Sequence, residues 1–223
     1  MARYAISDIH GCCQTFRFMV EEILHLTPAD ELFLLGDYID RGPDAKGVID
    51  YILDLRSRDY PVTTLMGNHE HMMLETWEDA AYLPLWLRNG GAQTLTSFGV
   101  KDVRQVADKY WTFLDHLEYY RELPDCLLVH AGFDFEAGNP LANFEAMLWI
   151  RQFKVDAAFL GDRKIVHGHT PTPFTRIQQN LADPASQVIN IDGGCVYKQL
   201  PELGHLTALN LDTRQLHLTP NRD

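Results

Sequence analysis

Gly36-Asp37-Tyr38-Ile39-Asp40-Arg41-Gly42 closes an apolar run, Leu32 to Leu35, that reads as a buried strand. Two carboxylates and a guanidinium crowd together at the end of that strand. Burying such ions without partners is costly, so a core has no use for them. A metal ion and a phosphate would supply the partners.

The neighbouring segments repeat the arrangement. Arg3 to Ser7 reads as a strand ending in Asp8-Ile9-His10-Gly11. From Gln14 to Leu26, Phe16, Val20, Ile23 and Leu24 fall at helical spacing, and Thr27-Pro28 closes the segment. Glu31 to Leu35 is the second strand. Pro43 marks a helix start, and Val48, Tyr51, Ile52 and Leu55 give that helix one apolar face. Pro61 turns the chain into a third strand, Val62 to Met66, which ends in Gly67-Asn68-His69-Glu70. Strands alternating with helices argue for an α/β sheet with right-handed crossovers. Ligands of such sheets sit beyond the carboxyl ends of the strands, so the three polar clusters are expected to converge.

Residues 71–123 break the pattern. Met72, Met73, Trp77, Trp86, Trp111 and Phe113, with a turn at Asn89-Gly90-Gly91, predict several helices forming a cap beside the site, within a single domain spanning 1–223. Their Met and Trp side chains are assigned to helical packing. Cys126 to Val129 is a fourth strand ending in His130-Ala131-Gly132, and Lys164 to Val166 a fifth ending in His167-Gly168-His169-Thr170-Pro171. Val188 to Ile191, Leu206 to Leu211 and Gln215 to Leu218 read as antiparallel strands completing a second sheet.

Bulk properties exclude some classes. The chain has 223 residues, 46% of them hydrophobic, enough for a real core. Its formal charge of −12, from 31 acidic and 19 basic side chains, argues against nucleic acid as the main partner. No apolar run approaches the roughly 18 residues needed to cross a bilayer. The N-terminus shows no signal-peptide pattern, so a cytoplasmic location is expected. Cys12, Cys13, Cys126 and Cys195 form no Cys-x-x-Cys pair and read as reduced, mostly buried thiols.

Seven strand-end residues are of metal-ligand type: Asp8, His10, Asp37, Asn68, His130, His167 and His169. Mixed oxygen and imidazole donors suit Mn, Fe or Zn better than Ca or Mg. Seven candidates exceed one ion with an open position. Two ions about 3.5–4 Å apart, sharing a carboxylate, would use six of them. Each cluster alone is a weak signal; five in order are a strong one.

These five clusters together resemble the signature of the calcineurin-like metallophosphoesterases, and more narrowly the phosphoprotein phosphatase branch in its short bacterial and bacteriophage form. The match runs from residue 8 to residue 171. The resemblance implies a two-sheet β-sandwich flanked by helices, with a dinuclear metal site at the strand ends, often loaded with Mn. It implies that Asp8 and His10 hold one metal, that Asp37 bridges, and that Asn68, His130 and His169 hold the second. His167 is then an outer or bystander residue. Pro171, where other branches carry a second histidine, favours the phosphoprotein phosphatase branch. Arg41 and, from Trp149-x-Arg151, Arg151 would clamp a phosphate. His69, held by Asp40, would be the general acid for a poor leaving group. The expected activity is hydrolysis of phosphoserine and phosphothreonine in proteins, with phosphotyrosine or a small phosphoester as further substrates. The alternative is a symmetrical dinucleoside-polyphosphate hydrolase. Those relatives commonly lack the residue matching Asp40 and often carry Asp in place of Glu70. A metal-stabilised interaction module is the non-enzyme reading. Substrate choice is expected to lie in residues 71–123 and 172–186.

Overall fold

Alternation along the strands sorts the molecule into layers in the computed structural model, which describes residues 1–223. One sheet has the order β3-β2-β1-β8-β9, from β1 (Arg3–Ile6), β2 (Glu31–Leu34), β3 (Val62–Thr64), β8 (His205–Asn210) and β9 (Leu216–Pro220). The other has the order β4-β5-β6-β7, from β4 (Tyr120–Glu122), β5 (Cys126–Val129), β6 (Lys164–His167) and β7 (Val188–Asn190). Ala5, Phe33 and Leu35 face Cys126, Leu128, Val166 and Ile189 between the sheets. The alternate residues Ile6, Leu32 and Leu34 face outward into a helical layer, and Leu127, Val129 and Ile165 face outward on the other side. Side chains of period two thus build three apolar clusters from two sheets.

β1, β2 and β3 run parallel. Their crossovers are α1 (Cys13–Phe18), which continues as a π-helical turn through Ile23, and α2 (Ala45–Ser57). Pro43 does not begin α2. Asp44 takes the N-cap position instead, its carboxylate accepting the Gly47 N–H at 2.8 Å. Between β3 and β4 lie α3 (Asn68–Glu78), α4 (Leu83–Trp86), α5 (Ala92–Phe98) and α6 (Asp108–Asp115). Met72, Met73 and Trp86 are buried there, as packing requires, while Trp77 is exposed and lies against Trp111 with ring centroids 5.6 Å apart. Beyond β5 follow α7 (Phe144–Trp149), α8 (Ala157–Leu160) and α9 (Phe174–Ala182).

Three expectations are corrected. Val188–Asn190 is not antiparallel: it pairs parallel with β6, because α9 supplies a crossover that short alternating runs do not reveal. β8 and β9 are antiparallel, but β8 pairs with β1 and both belong to the first sheet. Tyr120–Glu122, read within the helical segment, is an edge strand of the second sheet. All four cysteines are free and buried. No helix is long and apolar enough to cross a membrane.

Candidate metal centre

The turns after β1, β2, β3, β5 and β6 meet at one edge of the sandwich. Five of the nine non-glycine residues with positive φ are His10, Asp37, Asp40, Arg41 and His169. Each left-handed residue costs about 1–2 kcal/mol, so surrounding bonds must impose the conformation. The Ile9 and His10 N–H groups both donate to the Asp37 carbonyl, at 3.1 and 2.8 Å. Glu70, fully buried, accepts four backbone N–H groups: Asp37 at 2.9 Å, Tyr38 at 2.8 Å, Ile39 at 3.2 Å and Gly67 at 3.1 Å. Glycine permits the close approach. A Cβ on Gly42 would stand 1.9 Å from the His10 carbonyl oxygen, and one on Gly67 would stand 2.2 Å from Asp37 Oδ1.

Two groups of potential ligand atoms result, each with all atoms within 4.8 Å of one another: His10, Asp37 and His69, and then Asp37, His130 and His169. Asp37 belongs to both. His10 Nδ1 donates to the Ile39 carbonyl at 3.0 Å and His130 Nδ1 to the Leu35 carbonyl at 2.9 Å, which leaves each Nε2 a bare lone pair. The His130 lone pair lies 3.0 Å from Asn68 Oδ1 and 3.5 Å from Asp37 Oδ1. His169 Nδ1 completes a triangle, 3.0 Å from the same Asn68 oxygen and 3.2 Å from His130 Nε2. With the His169 proton on Nδ1, that ring donates to Asn68 Oδ1 and leaves its buried Nε2 without a partner; with Nδ1 bare, as a ligand requires, these lone pairs repel one another unless a cation lies among them. The donors present therefore fit divalent metal ions, and their mixture of oxygen and imidazole is suited to Mn, Fe or Zn.

Charge follows the same logic. Burial and the nearby Arg41 push His10 down to about 3, and burial and His130 push His169 down to about 3, so both rings stay neutral as ligands must. Burial, reinforced by Asp8 and Glu70, raises Asp37 well above the carboxylate range. A bound cation would reverse that shift. Burial also pushes Asp8 up, but His130, His10 and the His169 N–H outweigh it and the net shift is down. Asp8 stands apart from both compact groups. Its oxygens accept the His169 N–H, at 3.1 Å each, and the Ser7 hydroxyl at 3.0 Å.

His69 Nδ1 lies 2.6 Å from Asp40 Oδ2. Asp40 also accepts from Trp86 Nε1 at 2.9 Å and from the Thr94 hydroxyl at 2.6 Å. Burial raises Asp40 and lowers His69, which together favour a neutral pair. An indole N–H can only donate, however, and the Thr94 hydroxyl, which accepts the Asp40 N–H at 2.9 Å, gives its own proton to the same carboxyl group. We therefore place the proton on His69 Nδ1 and leave Nε2 free to exchange one. Nε2 lies 3.9 Å from Asp37 Oδ2, so His69 stands within the first ligand group as well as in the pair.

Arg41 Nη1 is 2.6 Å from the bare His10 Nε2, inside the site. Arg151 is exposed and forms no hydrogen bond, yet it lies close enough to His169 to add to the fall in that residue's pKa. His167 is in neither group. It is buried near Phe153, with ring centroids 5.9 Å apart, and burial lowers it to about 4.

Sequence reasoning missed Glu70, Trp86, Thr94 and Asp192 as parts of this site. Glu70 directly follows Asn68-His69, a signal close at hand. Asp192, in an Asp-Gly-Gly run of ordinary turn composition, is buried beside Asp8, and burial and that charge raise its pKa well above normal. Trp86 and Thr94 carry no sequence signal, since their partner lies 46 and 54 residues away.

A family model of calcineurin-like phosphoesterases matches residues 1–206. Over 133 residues the chain is 30% identical to a symmetrical bis(5'-nucleosyl)-tetraphosphatase of Pseudomonas putida (strain W619), covering 59% of this chain and 42% of that protein. The corresponding protein of Cellvibrio japonicus (strain Ueda107) is 30% identical over 132 residues, 59% of this chain and 45% of its own length. The chain thus spans less than half the length of these curated relatives. Among solved structures, a putative diadenosine tetraphosphatase superposes with a TM-score of 0.67 at 18% identity, covering 99% of this chain and 94% of that one. A Saccharomyces cerevisiae protein serine/threonine phosphatase gives a TM-score of 0.65 at 12% identity, with 100% and 80% covered. At such identities the likeness is one of fold.

Proposed function

Because the chain belongs to the calcineurin-like phosphoesterase family, we propose that it is a metal-dependent hydrolase of phosphomonoesters with alkoxide leaving groups, phosphoserine and phosphothreonine foremost. The observation that carries this reading is the 2.6 Å contact between His69 and Asp40. An alkoxide leaves only with a proton, and a histidine whose imidazolium form is stabilised by a carboxylate on Nδ1 could carry that proton on Nε2 and return to the neutral ring on giving it up. Metal ions held by Asp8, His10, Asp37, Asn68, His130 and His169 would supply positive charge for the phosphoryl group and acidify a bound water. Arg41 and Arg151 would grip the non-bridging oxygens. Mn is the first ion to try.

A second reading, hydrolysis of symmetrical dinucleoside tetraphosphates, has the names of the curated relatives behind it. The comparisons favour it over the first, whereas the acid pair favours the first. A nucleoside diphosphate is a stable anion and leaves without a proton, so His69 and Asp40 would have little to do.

One experiment separates them. Metal-reconstituted protein is assayed on phosphoserine, phosphothreonine and phosphotyrosine peptides and on diadenosine tetraphosphate, alongside His69→Asn. The first reading expects chelator-sensitive peptide hydrolysis and a much larger loss of kcat in His69→Asn on phosphoserine than on an aryl phosphate. Efficient turnover of diadenosine tetraphosphate, untouched by His69→Asn, would establish the second reading instead.

A further inference from the structure

The metal centre has two flanks of opposite chemistry. Beside His10 lies a pocket of about 400 Å³ lined by Arg41, Arg88, Asn89, Gly90, Gln93 and Tyr197, with no carboxylate among its walls. Beside His169, whose ring is 6.5 Å from that of Trp149, lies a groove of about 320 Å³ walled by Trp149, Phe144, Tyr82 and the carboxylates Glu75 and Glu145.

We propose that Arg88 forms a second anion subsite, holding a negatively charged group of the substrate other than the phosphoryl group that reacts. This rests on the phosphoesterase reading and extends it to the substrate's charge pattern. Neither Arg41 nor Arg88 takes part in an ion pair, as holds for most basic side chains here; what sets these two apart is that they share one pocket without a carboxylate, in a chain of 31 acidic residues against 19 basic ones. In so acidic a molecule, two unpaired guanidiniums on one pocket leave their charge for a ligand. The Asn89-Gly90 turn is fitted closely to Arg41: the Arg41 N–H donates to the Gly90 carbonyl at 3.3 Å, and a Cβ on Gly90 would stand 2.6 Å from Arg41 N. Gly90 accordingly has φ of 109°. That turn fixes the segment carrying Arg88 beside the residue proposed to grip the reacting phosphate. Tyr197 closes the far wall, its ring centroid 5.7 Å from the Arg41 guanidinium carbon. The Glu75 and Glu145 flank would repel the same anion, so the second charge has one favourable side.

Two sources offer this chemistry: the remaining phosphates of a polyphosphate chain, or an acidic side chain next to a phosphorylated residue. The probe is calorimetric binding of methylenediphosphonate and of methylphosphonate to the Mn-loaded protein, neither of which is hydrolysed. Arg88→Ala should weaken methylenediphosphonate about tenfold or more, the worth of one charge-assisted hydrogen bond, with a much smaller effect on methylphosphonate. Arg88→Lys, which keeps the charge and guards against a folding defect, should recover part of the loss. Equal weakening of both ligands, or of neither, overturns the proposal. The comparison needs no turnover, so an inactive protein would defeat the phosphoesterase reading while leaving this test readable. Among substrates, the source is whichever loses kcat/KM in Arg88→Ala, diadenosine tetraphosphate or a phosphoserine peptide with a flanking aspartate. If both are turned over and neither loses, no second anion is held there.

Discussion

Glu70 accepts four backbone N–H groups from the turns that carry Asp37 and Asn68, so one side chain fixes the ends of two strands. Glu70→Gln keeps the shape but turns an NH2 group toward donors. Hydrogen bonds to a charged group are worth about 1.5–3 kcal/mol, and the substitution should cost roughly 2–4 kcal/mol in urea denaturation with the slope unchanged. A loss below about 0.5 kcal/mol, ordinary for a surface change, would show that the staple is idle. Trp86 acts at longer range. Trp86→Phe keeps a ring in the buried site and deletes the N–H that Asp40 accepts at 2.9 Å. Hydrolysis of an alkyl phosphate should slow about tenfold, the equivalent of that bond, and hydrolysis of an aryl phosphate much less. Equal slowing would mean that the indole merely packs. The candidate ligands legible in sequence are those whose type announces chemistry at a strand end, Asp8, His10, Asp37, Asn68, His130 and His169, and the structure gathers them at one edge, with Asp8 outside the two compact groups. Glu70 is flagged by its place after Asn68-His69, but its task is not, and Trp86 is not flagged at all. The partners of one are backbone groups, which have no identity in sequence, and the other works through a tertiary contact.

Among the elements, the parallel half of the first sheet is the part most legible in sequence, because α1 and α2 carry helical spacing between β1, β2 and β3. The C-terminal strands are not legible in the same way. Alternation defines a face, but neither partner nor direction, and β8 finds its partner in β1, about 200 residues earlier, with Tyr4 opposite Asn210. What joins the two sheets at their edge is Arg3 of β1. Its guanidinium donates to both oxygens of Asp125, at 2.8 Å each, just before β5, and to Asp212 at 2.7 Å, just after β8. The hydrogen bond from Arg3 holds Asp125 below the usual carboxylate range. A carboxyl group whose folded pKa is depressed contributes stability above its unfolded pKa and loses it as pH falls through the folded one. Both carboxylates are more than a third exposed, so the contribution is that of a well-formed surface network. Arg3→Met should therefore lower stability by about 1 kcal/mol near neutral pH and flatten its decline below about pH 4. Parallel stability curves for the two proteins from pH 7 to pH 3 would refute the linkage.

Taken whole, the molecule gathers Asp8, Asp37, Asp40, Glu70 and Asp192 inside one buried edge, and that is an arrangement a protein of formal charge −12 can hardly favour without cations. Folding and metal binding should then be linked. A ligand bound only by the folded state at a hundred times its Kd stabilises by about 2.7 kcal/mol. In a protein of this size each kcal/mol moves Tm by roughly 2–4 °C, so Mn against chelator should shift Tm by roughly 5–10 °C. Asp37 decides whether the shift comes from this site, since it alone is shared by both ligand groups. Burial and the charges of Asp8 and Glu70 raise its pKa well above normal. A carboxyl group with a raised folded pKa costs stability at every pH above its unfolded pKa. Asp37→Asn should therefore do two opposite things. It should raise the Tm of the chelated protein, by removing that cost, and it should abolish most of the rise that Mn produces. A structural role for Asp37 alone predicts the reverse for the chelated protein, a fall in Tm, with the Mn response intact. Scanning calorimetry of both proteins, with and without Mn, distinguishes the two by sign.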